Sequence, residues 1–407
     1  MQDLAKDAHL PGAEDGKGAP RERWKKSWRF LWQTALAFAI GIAGAATFLH
    51  FALPLPWFLG SLSFCLFASI FNAPIRRPMF ISVPVRAILG VAVGTAFTPA
   101  LFGRMGSMVS SLLILIPFMA GIMLAGMFYF SRVARFDRPT AFFCGVPGGL
   151  ADMVTMAEDA GANVRAVTLI QATRILMLVF FLPLWLQATS GYHVGGLSPR
   201  GVHLSQFTVR DAVVLVVLAA VGWQLAKRIG LAGAPLVGPM LLSGIAHAAG
   251  LTEAKMPIEL LIVAQVSLGI MLGAQFRGLT AREFASTVLW GVGFSAVLIA
   301  LTAVMALFVS RITGFDSATV LLAYAPGGQA ELNLLAFILG LDVAFTAMHH
   351  LVRLAIAIFG AQLVFRTNRH WRVATLKPGD EAGREARQEP CKSTPPAHTP
   401  PNGPHPG

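Results

Sequence analysis

The chain has 407 residues, of which 55% are hydrophobic, only 13% are charged and 40 are glycine, and its formal net charge is +12. Soluble domains usually carry about 25% charged residues, and apolar runs of about 20 residues, each enough for one helical span, recur here, so the composition excludes an ordinary soluble domain. The positive charge gathers in tails and short loops, which speaks against nucleic acid as a partner, and Cys65, Cys144 and Cys391 are too scattered for a disulfide framework or a zinc site.

Residues 1–29 are polar and end in a basic run, Arg21, Arg23, Lys25, Lys26 and Arg29, interleaved with Trp24, Trp28 and Trp32. Basic residues with tryptophan mark a cytoplasmic membrane face, so this tail is expected inside. The apolar run from Phe30 to Leu53 is too long for the apolar part of a signal peptide and reads as a retained first span. Further spans are expected at about 57–71, 85–101 and 107–130, the last closed by Arg132, Arg135 and Arg138. Asp137 followed by Pro139 has the form of a helix N-cap. A short element comes next: about two turns from Thr140 to Val146, a break at Pro147-Gly148-Gly149, then about three turns from Leu150 to Ala160. A span at about 164–188, carrying Gln171 and Arg174, completes a first membrane unit, residues 30–189.

Residues 190–209 form a polar linker, after which a second unit, 210–366, repeats the order. Its spans fall at about 211–227, 235–250, 257–276 and 285–309, with a broken element at 317–340 and a last span at 342–365. Residues 367–407 are expected to be a disordered cytoplasmic tail, since the segment from 376 is rich in proline, glycine and charge and cannot bury a core.

The repetition is exact enough to align. A shift of 179 residues carries Pro147-Gly148-Gly149 onto Pro326-Gly327-Gly328 and needs no gap from Gly90/Gly269 to Arg174/Arg353. It also pairs Arg132 with Arg311, Asp137 with Asp316, Thr140 with Thr319, Asp152 with Glu331 and Gly161 with Gly340. This reads as a tandem duplication. Proline and glycine break helices, and a backbone freed in lipid costs several kcal/mol per group unless protein or a wet cavity satisfies it. Broken elements at matching places in two halves point to a binding site; a mere packing kink is the simpler alternative for either one alone.

Whether each broken element crosses the membrane or dips and returns decides the architecture. Crossing gives six spans per half and parallel repeats, with nine short-loop Lys/Arg inside and six outside. Dipping gives five spans per half and inverted repeats, with ten inside and five outside. The positive-inside rule therefore prefers inversion, and both versions leave both termini in the cytoplasm. The expected fold is an all-α membrane protein of two homologous halves, each of about five spans plus a re-entrant Pro-Gly-Gly element.

In an inverted pair the half-helices after Gly149 and Gly328 aim their positive ends at the middle. The expected solute site is Pro147, Gly148, Gly149, Asp152 and Arg174 with Pro326, Gly327, Gly328, Glu331 and Arg353, and Gln171, His349 and His350 form a polar or coupling network. Charges this deep are costly and usually paired. One reading has Asp152 and Glu331 simply capping their helices and pairing with the arginines; the other has them also carrying a coupling proton.

The runs Val146-Pro-Gly-Gly-Leu-Ala-Asp-Met153 and Ala325-Pro-Gly-Gly-Gln-Ala-Glu-Leu332, with Gly238-Pro239-Met240-Leu241 and the arginine pair, resemble the AbrB family of bacterial inner-membrane proteins over about residues 35–366. The resemblance implies an internal duplication and an inner-membrane location. Two labels travel with that family, ammonia monooxygenase and regulator of gene expression, and neither brings a catalytic residue to carry over. An oxygenase needs several His or carboxylate ligands converging on an open metal position. Away from the tails and central loop only His50, His247, His349 and His350 remain, and the first half has Ile170 and Gln171 where the second has His349 and His350. No metal, cofactor or catalytic chemistry is expected, and no DNA-binding element is visible. The expected function is secondary transport of a small anionic solute, with a membrane ligand sensor as the alternative; the sequence leaves the oligomeric state open.

Overall fold

The computed structural model describes residues 20–99, 103, 105–190, 202–278, 280 and 283–367. Most of the expected linker and nearly all of the expected C-terminal tail lie outside these residues. Within them every regular element is a helix. There are fourteen: α1 (Pro20–His50), α2 (Pro56–Ile70), α3 (Met79–Gly94), α4 (Met105–Phe128, continued by a wider turn at Tyr129–Val133), α5 (Arg138–Gly145), α6 (Leu150–Asp159) and α7 (Val164–Ser190), then α8 (Val209–Arg228), α9 (Ala234–Ala248), α10 (Ile258–Gly273), α11 (Leu289–Thr313, preceded by a wider turn at Phe284–Val288), α12 (Ser317–Tyr324), α13 (Gln329–Leu339) and α14 (Val343–Thr367). Seven of them, α1, α4, α7, α8, α10, α11 and α14, are long and apolar enough to cross a membrane.

The helix starts follow local chemistry. Asp137 accepts a hydrogen bond from the Thr140 amide at 3.2 Å, and Asp316 accepts from Ala318 and Thr319 at 3.1 and 3.2 Å, so both aspartates cap as expected. After the broken elements Gly161 and Gly340, each at φ 68°, take the left-handed turn that lets α7 and α14 begin at once. α3 starts at Met79, earlier than the expected Val85, and stops at Gly94. The basic run that was expected in a tail from residue 21 already belongs to α1, which begins at Pro20.

Three apolar helices, α2, α3 and α9, are shorter than a usual span, and glycine explains how they pack. A Cβ on Gly90 would strike the Leu236 carbonyl, and one on Gly94 would strike Ser243; Gly269 lies on Phe58 and Ser61, and Gly273 on Leu62 and Cys65. Small residues allow such close backbone approach in membrane helices. Ser243 Oγ donates to the Val91 carbonyl at 3.0 Å, and Ser69 Oγ donates to Gly273 at 3.0 Å. These contacts advance together along both chains, so α3 runs parallel to α9, and α2 runs parallel to α10.

The helices sort into two groups. α1, α2, α3, α8, α9 and α10 pack among themselves, as do α4 to α7 with α11 to α14, and α3 touches the second group through α13 and α14. Inside the second group each broken element is a helical hairpin. α5 climbs back along α4, with Gly126 against Gly145. The chain then returns: the Asn163 amide, at the foot of α7, donates to Thr140 Oγ1 at the foot of α5 at 2.8 Å. The second hairpin closes likewise, with Phe315 before α12 packed against Phe345 at the start of α14, ring centroids 4.2 Å apart and the rings tilted by 38°. Each broken element thus goes back to the end of the bundle it left.

Candidate solute site

At each break the helix gives way to extended backbone. Val146 and Gly149 have ψ of 122° and 134°, and Ala325 and Gly328 have 126° and 134°. The Gly148 amide turns back to Val146 O at 3.0 Å and the Gly327 amide to Ala325 O at 2.9 Å, the same local bond in both halves. The last carbonyls of α5 and α12 lose their helical donors there, and buried carbonyls need partners.

Those partners come from the next long helix. Gln171 Nε2 donates to Phe143 O at 2.8 Å and to Val146 O at 3.0 Å, and Arg174 Nη1 donates to Val146 O at 3.3 Å. Arg174 Nη2 also donates to Gln171 Oε1 at 2.5 Å. In the second half Arg353 donates to Ala325 O and, at 2.8 Å, to Gly327 O, and His350 Nε2 donates to Leu322 O at 3.0 Å. Arg174 is 1% exposed and Arg353 4%, and the Arg353 charge acts on Arg174.

The pairing of these arginines with Asp152 and Glu331 is not present among the described residues. Both carboxylates, half-buried, fold back over the glycine that precedes their helix. A Cβ at Gly149 would sit 2.5 Å from Asp152 Oδ2, and one at Gly328 would fall on Glu331 Oε2. This is the third residue of each helix turning back toward its own N-terminus. The tips also reach across the molecule: a Cβ on Gly149 would lie 3.6 Å from Leu354 on α14, and one on Gly327 would lie 3.4 Å from Leu178 on α7. Pro147 and Pro326 are buried within the same two breaks.

His349 belongs to a different cluster from His350. Its Nδ1 is 2.8 Å from Phe345 O, and a carbonyl only accepts, so Nδ1 carries the proton and Nε2 accepts from Ser111 Oγ at 2.8 Å. Tyr324 OH donates to Ser111 O at 2.6 Å. The set ties α4, α12 and α14 together, and its side chains bond Ser111 O and Phe345 O rather than the break carbonyls. Ser111 and Tyr324 were missed from the sequence, because a serine and a tyrosine in apolar runs carry no pattern. Arg86 on α3 was also missed, although an arginine inside a span is itself a signal; its charge and that of Arg353 both act on Glu331. Among the described residues no three His, Cys, Asp or Glu side chains gather as a metal-ligand set.

Comparison with known proteins adds a family. Residues 57–369 match the model of the family AbrB, described as transition state regulatory protein AbrB. The uncharacterized protein YhjN of Bacillus subtilis (strain 168) is 30% identical over 240 residues, 56% of this chain and 62% of YhjN, so the match spans under two thirds of that relative. The "Putative regulator AbrB" of Escherichia coli (strain K12) is 24% identical over 337 residues, 80% of this chain and 92% of that protein.

Proposed function

The chain belongs to the AbrB family, and we propose that this membrane protein is a secondary transporter of a small anionic solute, built as a pair of inverted repeats. The observation that carries the reading is the pair of broken hairpins, each with its tip against the last long helix of the other half. Inversion is supported by the direction of packing. Were each motif to cross the membrane, α2 would run against α10 and α3 against α9; both pairs run parallel. Arg277, after α10, also donates to Ile75 O in the α2–α3 loop at 2.7 Å, which needs both loops on one side.

The preference for an anion follows from charge. Two guanidiniums and two half-helix N-termini, each worth about half a positive charge, stand against Asp152 and Glu331. Protonation of either acid makes the region more attractive to an anion, a direct route to proton coupling. We place the protein in the bacterial inner membrane with both termini cytoplasmic, and assign it no catalytic step and no cofactor. The regulator name of the Escherichia coli relative favours a second reading, a ligand sensor that does not transport.

Reconstituted full-length protein should take up a labelled small anion into liposomes, faster with the acidic side outside. Binding without uptake supports the sensor instead, and uptake of a cation such as ammonium, lost in Asp152→Asn and kept in Arg174→Gln, overturns the anionic reading. Single cysteines at Arg138 and Asn163, both exposed, should label from the same side of the membrane; labelling from opposite sides removes the inverted repeat.

A further inference from the structure

Arg86 stands midway along α3, exposed, and makes no hydrogen bond or ion pair with another described residue. α3 is an interior helix: it packs on α8, α9 and α10 and, elsewhere on its surface, on α13 and α14. An unpaired charge inside a span is costly unless it faces water or a ligand. Its field acts on Glu331 in the first turn of α13, yet the two do not close into an ion pair.

The repeat makes the position informative. The counterpart of Arg86 is Gln265 on α10, which is 1% exposed and whose Nε2 has no partner. Exposure along α10 stops at Val263, the counterpart of Pro84, whereas on α3 it runs on to Arg86. The acids opposite are alike, Asp152 and Glu331. Exposure therefore reaches two residues deeper into α3 than into α10, and α3 carries a cation there where α10 carries an amide.

Resting on the transporter reading, we propose that Arg86 is the ligand's anchor: it holds the carboxylate of a small 2-hydroxy or 2-amino acid where α3 packs beside α13, and Glu331 accepts the hydrogen of the neighbouring hydroxyl or ammonium. An unpaired cation on α3 and a carboxylate on α13, a helix that α3 packs against, complement a molecule that carries an anion and a donor on adjacent atoms. The guanidinium fork matches a carboxylate in two parallel hydrogen bonds. Arg174 and Arg353 are already spent on the break carbonyls; they hold the walls of the site and set its field.

The test uses full-length protein in liposomes with two labelled series, propionate, lactate and alanine, then succinate, malate and aspartate. Wild type should take up a 2-substituted acid in preference to its unsubstituted parent, and the lactate/malate and alanine/aspartate arms separate a hydroxyl donor from an ammonium. Arg86→Gln, which copies the second half, should raise the half-saturation concentration by about tenfold or more, as loss of a charge-assisted bidentate pair implies. Glu331→Gln should shrink the preference over the parent acid. In a cysteine-free background, Arg86→Cys should react with a sulfonate thiol reagent, and the transported acid should slow that reaction, which keeps the idea testable should Arg86→Gln fail to reach the membrane. Unchanged half-saturation in Arg86→Gln, or labelling indifferent to ligand, overturns the role of Arg86 and leaves the transporter reading standing. Failure of wild type to move any of these acids, phosphate or sulfate overturns the transporter reading itself.

Discussion

In the first hairpin the carbonyls freed at Pro147 are taken by Gln171 and Arg174; in the second, His350 and Arg353 take their counterparts. Phe143 and Leu322 occupy equivalent positions under the 179-residue shift, and an amide serves one while an imidazole serves the other. What is kept between the halves is a donor at a fixed place, not a particular side chain. The difference also assigns His350 a plain duty, to close a backbone carbonyl. The hairpins differ in security as well. Arg353 reaches two break carbonyls by itself, whereas Arg174 shares one with Gln171.

The comparison breaks first at the glycines. A Cβ at Gly149 would meet the flexible ends of Asp152 and Leu354, one at Gly328 that of Glu331, one at Gly148 that of Met153, and one at Gly327 those of Leu332 and Leu178. The four valine variants should reach the membrane and lose uptake altogether. Valine at Gly145 or Gly126 would instead meet the facing backbone, so protein itself should be lost. Membrane levels beside uptake rates check both; loss of protein in the first four would make the tips a folding device only.

The arginines come next. Arg353→Gln leaves the Gly327 carbonyl without a donor, at about 1–3 kcal/mol, and Ala325 O with the Gly327 amide alone. Arg174→Gln leaves Val146 O still held by Gln171, so its cost should be the smaller. Thermal unfolding in detergent should rank Arg353→Gln clearly below Arg174→Gln; equal losses would mean that the two breaks are supported alike. His350→Leu should cost about 1–3 kcal/mol for the same reason, and His350→Gln should recover most of it, because the first half already does this work with glutamine.

The hairpins, the caps and the long helices were legible because each leaves a local mark: a proline with two glycines, an aspartate before a helix, an apolar run. The 179-residue shift even aligns α5 with α12 residue for residue. The partners of the buried charges were not legible. Spacing along α7 and α14 places Arg174 and Arg353 near the breaks, but a guanidinium there can turn to a carboxylate or to a carbonyl, and sequence does not say which. The structure turns both to carbonyls, since extended backbone at Val146 and Ala325 frees acceptors from the helical ladder. Arg86 escaped because span 3 was expected to start at Val85, which put the arginine at a helix end, where a charge is unremarkable, whereas α3 in fact begins at Met79.

The smallest expected difference between the halves lies at their edges. Arg165, at the foot of α7, pairs with Glu283 ahead of α11, donating from Nη2 at 2.8 Å, and its counterpart in the second half is Ala344. Among the described residues only the first hairpin is clasped in this way. Hydrogen bonds from the Thr280 amide and hydroxyl, at 2.9 and 2.8 Å, and then the Arg165 charge hold the Glu283 carboxyl below the usual glutamate range. A carboxyl lowered by folding contributes stability above its unfolded value and loses it as pH falls through its folded value. The pair is exposed, 62% at Arg165, and exposed pairs contribute little and are screened by salt. Arg165→Ala should therefore lower the unfolding temperature slightly at pH 7. The gap to wild type should close as pH drops below the ordinary glutamate range, and high salt should narrow it at pH 7. A gap that persists at low pH, or that salt leaves untouched, would mean that Arg165 stabilises the foot of α7 through its 3.1 Å bond to Gly278 O instead.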